Sequence, residues 1–125
     1  MKDIIAVIPA KGRSTRIPGK NMMNFCGKPL IWYTISAAIR SNCFSKIIVS
    51  TDSTEIRSYA ESCGLDIPFI RPKSLCMDDT STFEVVNHAI DFLSKDKSSI
   101  PDFVAILEAT SPLRLPTDII KGVNL

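Results

Sequence analysis

Residues 4–21, I-I-A-V-I-P-A-K-G-R-S-T-R-I-P-G-K-N, begin with an apolar run from Ile4 to Ile8, closed by Pro9. The run is short, continuous and rich in β-branched side chains, the pattern of a strand buried on both faces in a parallel sheet. Directly after it come Gly12, Gly19 and Pro18, with the cations Lys11, Arg13, Arg16 and Lys20. A buried strand that empties into a glycine-containing basic loop is the α/β solution for holding a polyphosphate, because backbone N–H groups and cations meet at strand carboxyl ends. The reading is a nucleoside-triphosphate site, set against a solvated basic surface loop. Neither G-x-x-x-x-G-K-[ST] nor G-x-G-x-x-G occurs here, so the loop alone does not decide between them.

Strands and helices alternate through the remaining chain. Leu30 to Ser41 has helical spacing, with Pro29 placed in the first turn, where proline is tolerated best. Lys46 to Ser50 reads as a second buried strand. Thr51-Asp52-Ser53 follows it and opens a helix whose inner face is Ile56, Tyr59, Ala60 and Cys63, and Gly64 ends that helix. Asp52 is read first as the cap of that helix, with Ser53 as the other candidate and a ligand or metal contact as the functional alternative for Asp52. Ile67 to Ile70 is expected as a short edge strand carrying Pro68. Ser81-Thr82-Phe83-Glu84 is a capping box that opens a helix with Phe83, Val86, Ile90 and Leu93 facing inward. Asp78 and Asp79 read as turn residues near that helix start, His88 as structural, and Trp32 as packing rather than a base-stacking platform. Asp102 to Leu107 is the last strand, and Thr117 is expected to cap a final helix.

This order implies a parallel, right-handed β-α-β sheet with helices on both faces. Four polar strand ends, at residues 9–21, 51–53, 71–82 and 108–114, would then line one crevice.

With 125 residues, 45% hydrophobic and 22% charged, the chain suits one globular domain. No apolar run approaches the roughly 20 residues of a membrane span, and the N-terminus lacks signal-peptide character, so no membrane partner and a cytoplasmic location are expected. Cys26, Cys43, Cys63 and Cys76 form no C-x-x-C pair and His88 is the single histidine, which disfavours zinc and a disulfide framework. Residues 1–28 hold six cations against one anion, while the net charge is only +2. Positive charge confined to one segment suits a small anion better than nucleic acid.

Five blocks, in order, carry a resemblance: I-P-A-K-G-R-S-T-R-I-P-G-K-N (8–21), G-K-P-L-I (27–31), I-I-V-S-T-D-S (47–53), R-P (71–72) and A-T-S-P-L-R (109–114). The chain resembles the acylneuraminate cytidylyltransferases, which make CMP-sialic acid and related CMP-nonulosonates, over what would be their N-terminal half. The resemblance implies a Rossmann-like three-layer α/β/α fold of the nucleotide-diphospho-sugar transferase type, truncated here, with residues 1–125 as the nucleotide-binding part of one incomplete domain. It implies CTP and a nine-carbon sugar acid as partners, Mg²⁺ as cofactor with its ligands in the missing half, and a homodimer. Lys11 and Lys20 would be the catalytic cations on the triphosphate. Ala10, Gly12, Ser14 and Asn21 would complete the loop contacts, and Arg71, Ser81 and Thr82 would read the cytidine. Glu108, Thr110, Ser111 and Arg114 fall where the family addresses the sugar.

Three residues depart from the family pattern. Lys11 replaces arginine and loses the planar fork, Thr15 replaces lysine, and Glu108 replaces glutamine. A carboxylate at Glu108 would repel the sugar's own carboxylate unless it pairs with a cation, binds metal or is protonated. The alternatives are a non-catalytic nucleotide-binding remnant and a related sugar nucleotidyltransferase such as a ketodeoxyoctonate (KDO) cytidylyltransferase. An open sheet edge and apolar face at the truncation would favour self-association.

Overall fold

The computed structural model describes residues 3–12, 19–96, 101–109 and 116–123. Its frame is a parallel sheet of β1 (Ile4–Pro9), β4 (Lys46–Ser50) and β5 (Phe103–Ile106) in the order β4-β1-β5. Successive strand side chains point to opposite faces, so β1 feeds two cores at once. Ala6 and Ile8 pack with Ile31, Ile35 and Ala38 of α1 (Leu30–Ser41), with Ile56 and Ala60 of α2 (Thr54–Ser62), and with Ile119 of α4 (Pro116–Val123). Ile5 and Val7 face the other way, toward Ile48, Phe69 and Ala89, the last in α3 (Thr82–Asp96). Three layers result, as the α/β/α expectation requires.

The strand order creates the crevice. From β1 the chain crosses to β4 on one side and later returns to β5 on the other. The carboxyl end of β1 is therefore a topological switch point, where the connections diverge and leave room for a ligand.

A small hairpin of β2 (Asn24–Phe25) and β3 (Lys28–Pro29) leads into α1. Its turn residues Cys26 and Gly27 both have positive φ, 52° and 92°, the mirror-image turn that matches strand twist. Asn24 Oδ1 accepts from Gly27 N at 3.1 Å and holds the turn closed. Pro29 stands at the N-cap of α1, one step before the first turn expected for it.

Four other expectations are corrected. Residues 67–70 form no strand, although Ile67 and Phe69 are buried as a strand would bury them. Pro68 has no N–H to give a ladder, and the segment first fastens to the sheet at Arg71, whose N–H donates to Thr51 O at 2.7 Å. The inner face of α3 is built on Val85 and Ala89, with Phe83 72% exposed at the helix start. Alanine lets this helix lie close to the sheet, whereas a first-turn aromatic has no core beneath it. Pro116 is the first helical residue of α4, as its fixed φ favours, so Thr117 lies inside the first turn rather than capping it.

The fourth correction concerns Asp52. The N-cap of α2 is Ser53, whose Oγ accepts from Ile56 N at 3.2 Å, and the Asp52 carboxylate turns elsewhere. Ser53→Ala is expected to cost about 1 kcal/mol, a melting point lower by about 3–6 °C. An unchanged thermal melt would return the capping role to Asp52.

Candidate nucleotide site

Beyond β1 the chain stays pinned to the end of β4. Ala10 N donates to Ser50 O at 2.9 Å, which extends the β1–β4 pairing by one residue. Gly12 N donates to Asp52 Oδ1 at 2.8 Å. A Cβ on Gly12 would stand 2.8 Å from Ser53 Cβ, so glycine is required for the loop to lie this close. Asn21, 6% exposed, donates from Nδ2 to Lys11 O at 2.9 Å. It sits on a single 3₁₀ turn, Lys20–Met22, entered through Gly19 at φ 70°.

These bonds revise how the loop can meet an anion. The N–H groups of Ala10 and Gly12 are both committed to the protein, so neither is a free donor to a ligand. Positive charge comes instead from side chains. Lys11, Lys20 and Arg71 line one cavity of about 220 Å³ at the carboxyl end of β1. Asn21, Thr82 and Glu108 line it as well, so six of the residues singled out from sequence meet there. Ala10 is buried beneath the cavity rather than lining it, Gly12 backs onto Ser53, and Ser81 serves α3 as its cap, its Oγ accepting from Glu84 N at 3.1 Å. Ser14, Thr110, Ser111 and Arg114 lie outside the described residues.

Arg71 is 3% exposed and heavily engaged. Nε donates to Ser50 Oγ at 3.1 Å, Nη2 to Ser50 O at 2.7 Å and Nη1 to Leu75 O at 3.1 Å. Three of the five guanidinium N–H groups are thus consumed by the fold, and two remain. Burial pushes its pKa below the usual arginine value, while Cys76 and Asp52 act to raise it. Lys11 Nζ lies 3.7 Å from Asp78 Oδ1, in a pair exposed enough to exchange readily for a ligand oxygen.

Met77 and Thr80, within the segment 71–82 expected to line the crevice, and Val85, which sequence reading missed, are further walls of the cavity. The path of the coil after Arg71 places the first two, with Thr80 Oγ1 accepting from Met77 N at 3.1 Å. That path depends on Arg71 Nη1 reaching Leu75 O, a contact no local pattern announces.

Glu108 is the one acid among the described residues that line the cavity. Among the described residues no three His, Cys, Asp or Glu side chains are grouped to hold a metal. A lone carboxylate is too little for a protein-built cage, though Mg²⁺ is commonly held by one or two carboxylates together with substrate phosphates. No described helix is long and apolar enough to cross a membrane. All four cysteines are free thiols.

The sheet is parallel, and its switch point, the place where α/β folds receive ligands, opens on a cavity lined by Lys11, Lys20 and Arg71. Residues 5–123 match the family described as Cytidylyltransferase, and the chain belongs to that family. It is 42% identical over 124 residues to a CMP-N,N'-diacetyllegionaminic acid synthase of Legionella pneumophila, covering 98% of this chain and 52% of the relative. It is 42% identical over 122 residues to an N-acylneuraminate cytidylyltransferase of Escherichia coli O18:K1:H7, covering 98% of this chain and 28% of the relative. The chain therefore spans about half, or less, of the length of these relatives. Its fold is similar to a solved CMP:2-keto-3-deoxy-manno-octonic acid synthetase complexed with CTP, with a TM-score of 0.77 at 22% identity, over 98% of this chain and 47% of the other. The resemblance carried by the five sequence blocks and the three-layer fold both stand.

Proposed function

We propose that this chain is the CTP-binding part of a cytidylyltransferase that activates a nonulosonic, sialic-type sugar acid as its CMP-sugar. One observation carries the reading: Lys11, Lys20 and Arg71 converge on a single cavity at the switch point of a sheet whose family is cytidylyltransferase. The sugar's anomeric hydroxyl forms a new bond to the α-phosphorus of CTP, the bond from that phosphorus to the pyrophosphate oxygen breaks, and the hydroxyl loses its proton. Such a transfer needs positioning and charge neutralisation more than covalent catalysis.

Lys11 and Lys20 serve as the cations on the triphosphate. Asn21 fixes the loop through Lys11 O and contacts the nucleotide from the cavity wall. Arg71 and Thr82 flank the base end, with Ser81 setting the start of α3 beside them. Ser14 as a phosphate donor, and Thr110, Ser111 and Arg114 toward the sugar acid, belong to the same proposal by family position. Glu108 faces the sugar end or a divalent cation that arrives with the triphosphate; Mg²⁺ bound this way would neutralise phosphate charge. A homodimer in the cytoplasm completes the proposal.

The test follows pyrophosphate release from CTP and Mg²⁺ with a panel of nine-carbon α-keto sugar acids and the eight-carbon ketodeoxyoctonate, alongside calorimetry with CTP, UTP, ATP and GTP. Turnover with a nine-carbon acid and selective CTP binding are expected. CTP binding without turnover would move the chain to nucleotide binding alone, and absence of both from folded protein would overturn the proposal.

A further inference from the structure

Three hydrogen bonds bracket Lys11. Ala10 N is held by Ser50 O at 2.9 Å, Gly12 N by Asp52 Oδ1 at 2.8 Å, and Lys11 O by Asn21 Nδ2 at 2.9 Å. Two of these partners are neutral. The third is a carboxylate within electrostatic reach of Arg71, one of the three cations that line the cavity. By field alone an acid is the wrong group there, since it lowers the potential that draws an anion in. Nor does α2 need it, because Ser53 caps that helix. The contact it does make is a charge-assisted bond to the backbone of Gly12, which packs so close to the β4–α2 turn that a Cβ would lie 2.8 Å from Ser53 Cβ.

We propose that Asp52 is a positioning residue: its carboxylate latches Gly12 N–H to the end of β4 and so holds Lys11 at the cavity wall. The same turn receives Arg71 through Ser50 O and Thr51 O, at 2.7 Å each. The end of β4 therefore ties the loop cation and the buried arginine to one support. This inference rests on the reading of the cavity as a triphosphate site.

Charge and geometry predict opposite signs, which makes the latch testable. Asp52→Ala and Asp52→Asn both remove a negative charge, and a pure field effect would tighten anion binding in each. Asp52→Glu keeps the charge but moves the carboxylate by one methylene. The latch predicts that Asp52→Asn, whose amide oxygen still accepts from Gly12 N, binds CTP and inorganic tripolyphosphate within about threefold of the unaltered chain, whereas Asp52→Ala and Asp52→Glu lose about tenfold, the worth of one charge-assisted bond. CMP, which lacks the outer phosphates, should lose less than about threefold on the same scale. Calorimetry reads the affinities, and a cooperative melt confirms that each variant is folded. If Asp52→Ala does not fold, Asp52→Glu carries the comparison.

Equal or tighter binding by Asp52→Ala or Asp52→Glu would overturn the latch, as would an equal loss in Asp52→Asn. If the unaltered chain binds tripolyphosphate but not CTP, the cytidylyltransferase reading fails, and the latch is still judged on the tripolyphosphate series. If it binds neither, both fail together.

Discussion

Lys20→Ala is expected to weaken CTP binding by about 10- to 100-fold at low salt, the worth of one charge-assisted contact of about 1.5–3 kcal/mol. Lys20 lines the cavity from a 3₁₀ turn whose next residue, Asn21, holds the loop through Lys11 O. The turn's backbone bond, Met22 N to Gly19 O at 3.0 Å, does not involve the ammonium group, so truncating the side chain leaves the scaffold standing. Lost affinity should therefore come without a lower melting point. The salt dependence adds a second signature. Raising ionic strength from about 0.01 M to about 1 M shortens the Debye length from about 30 Å to about 3 Å. Affinity of the unaltered chain should fall more steeply over that range than affinity of the variant, which has one fewer cation to screen. Lys20→Arg should recover most of the loss, since charge is retained. An affinity unchanged by Lys20→Ala would show that the basic segment is ordinary surface and that the cavity's charge lies elsewhere.

The parts of the molecule that could be read directly are those in which neighbouring residues determine the outcome. β1, β4 and β5 are continuous apolar runs and all three appear as strands, β4 with the limits expected for it, β5 within them and β1 one residue further, through Pro9. The Ser81 cap and the Gly64 helix stop are set by chemistry within four residues, and the structure keeps both. Residues 67–70 were harder, because their apolar pattern fits any buried extended chain and only a neighbour's ladder makes it a strand. Phe83 misleads for a related reason: periodicity gives a helix its apolar side, but the rotation that faces the sheet depends on which residue is small enough to approach it, here Ala89.

The site divides along the same line. Lys11 and Glu108 follow the ends of β1 and β5, where the switch-point rule puts them, and Lys20, Asn21, Arg71 and Thr82 join them as parts of the polar segments expected to line the crevice. The Asp52 contact and the anchoring of Arg71 are made across the fold, while the walls at Met77 and Thr80 rest on bonds between residues three and four apart. Gly12 and Asp52 are 40 positions apart, and Ser50 and Arg71 are 21 apart. Neither distance leaves a trace in spacing, and a local rule assigns Asp52 to the cap that Ser53 makes.

The second large effect is expected at Arg71, where the fold and the site share one side chain. A guanidinium that mainly reads the ligand would keep its N–H groups for the ligand, whereas this one gives three to Ser50 and Leu75. Arg71→Ala removes all three bonds and leaves the backbone bond to Thr51 O in place. Ser50 O keeps a partner in Ala10 N, but Ser50 Oγ loses the donor recorded for it inside a residue with no exposure. Leu75 O, nearer the surface, can recover water. The buried aliphatic stem is lost as well, offset in part because the charge no longer has to be desolvated. The balance is a destabilisation of about 2–4 kcal/mol, or a melting point lower by about 6–24 °C in the ligand-free protein. Arg71→Lys keeps a cation but reaches one acceptor in place of two arms, so it should lie between. Thermal melts of the three proteins without nucleotide decide the matter. A large fall for Arg71→Ala means that this residue builds the cavity wall before it meets any base, and weaker CTP binding by that variant then follows from a displaced coil at residues 72–80. A melting point within about 2 °C of the unaltered chain would reverse the assignment, since that corresponds to well under 1 kcal/mol, and would leave Arg71 as a residue held for the ligand alone.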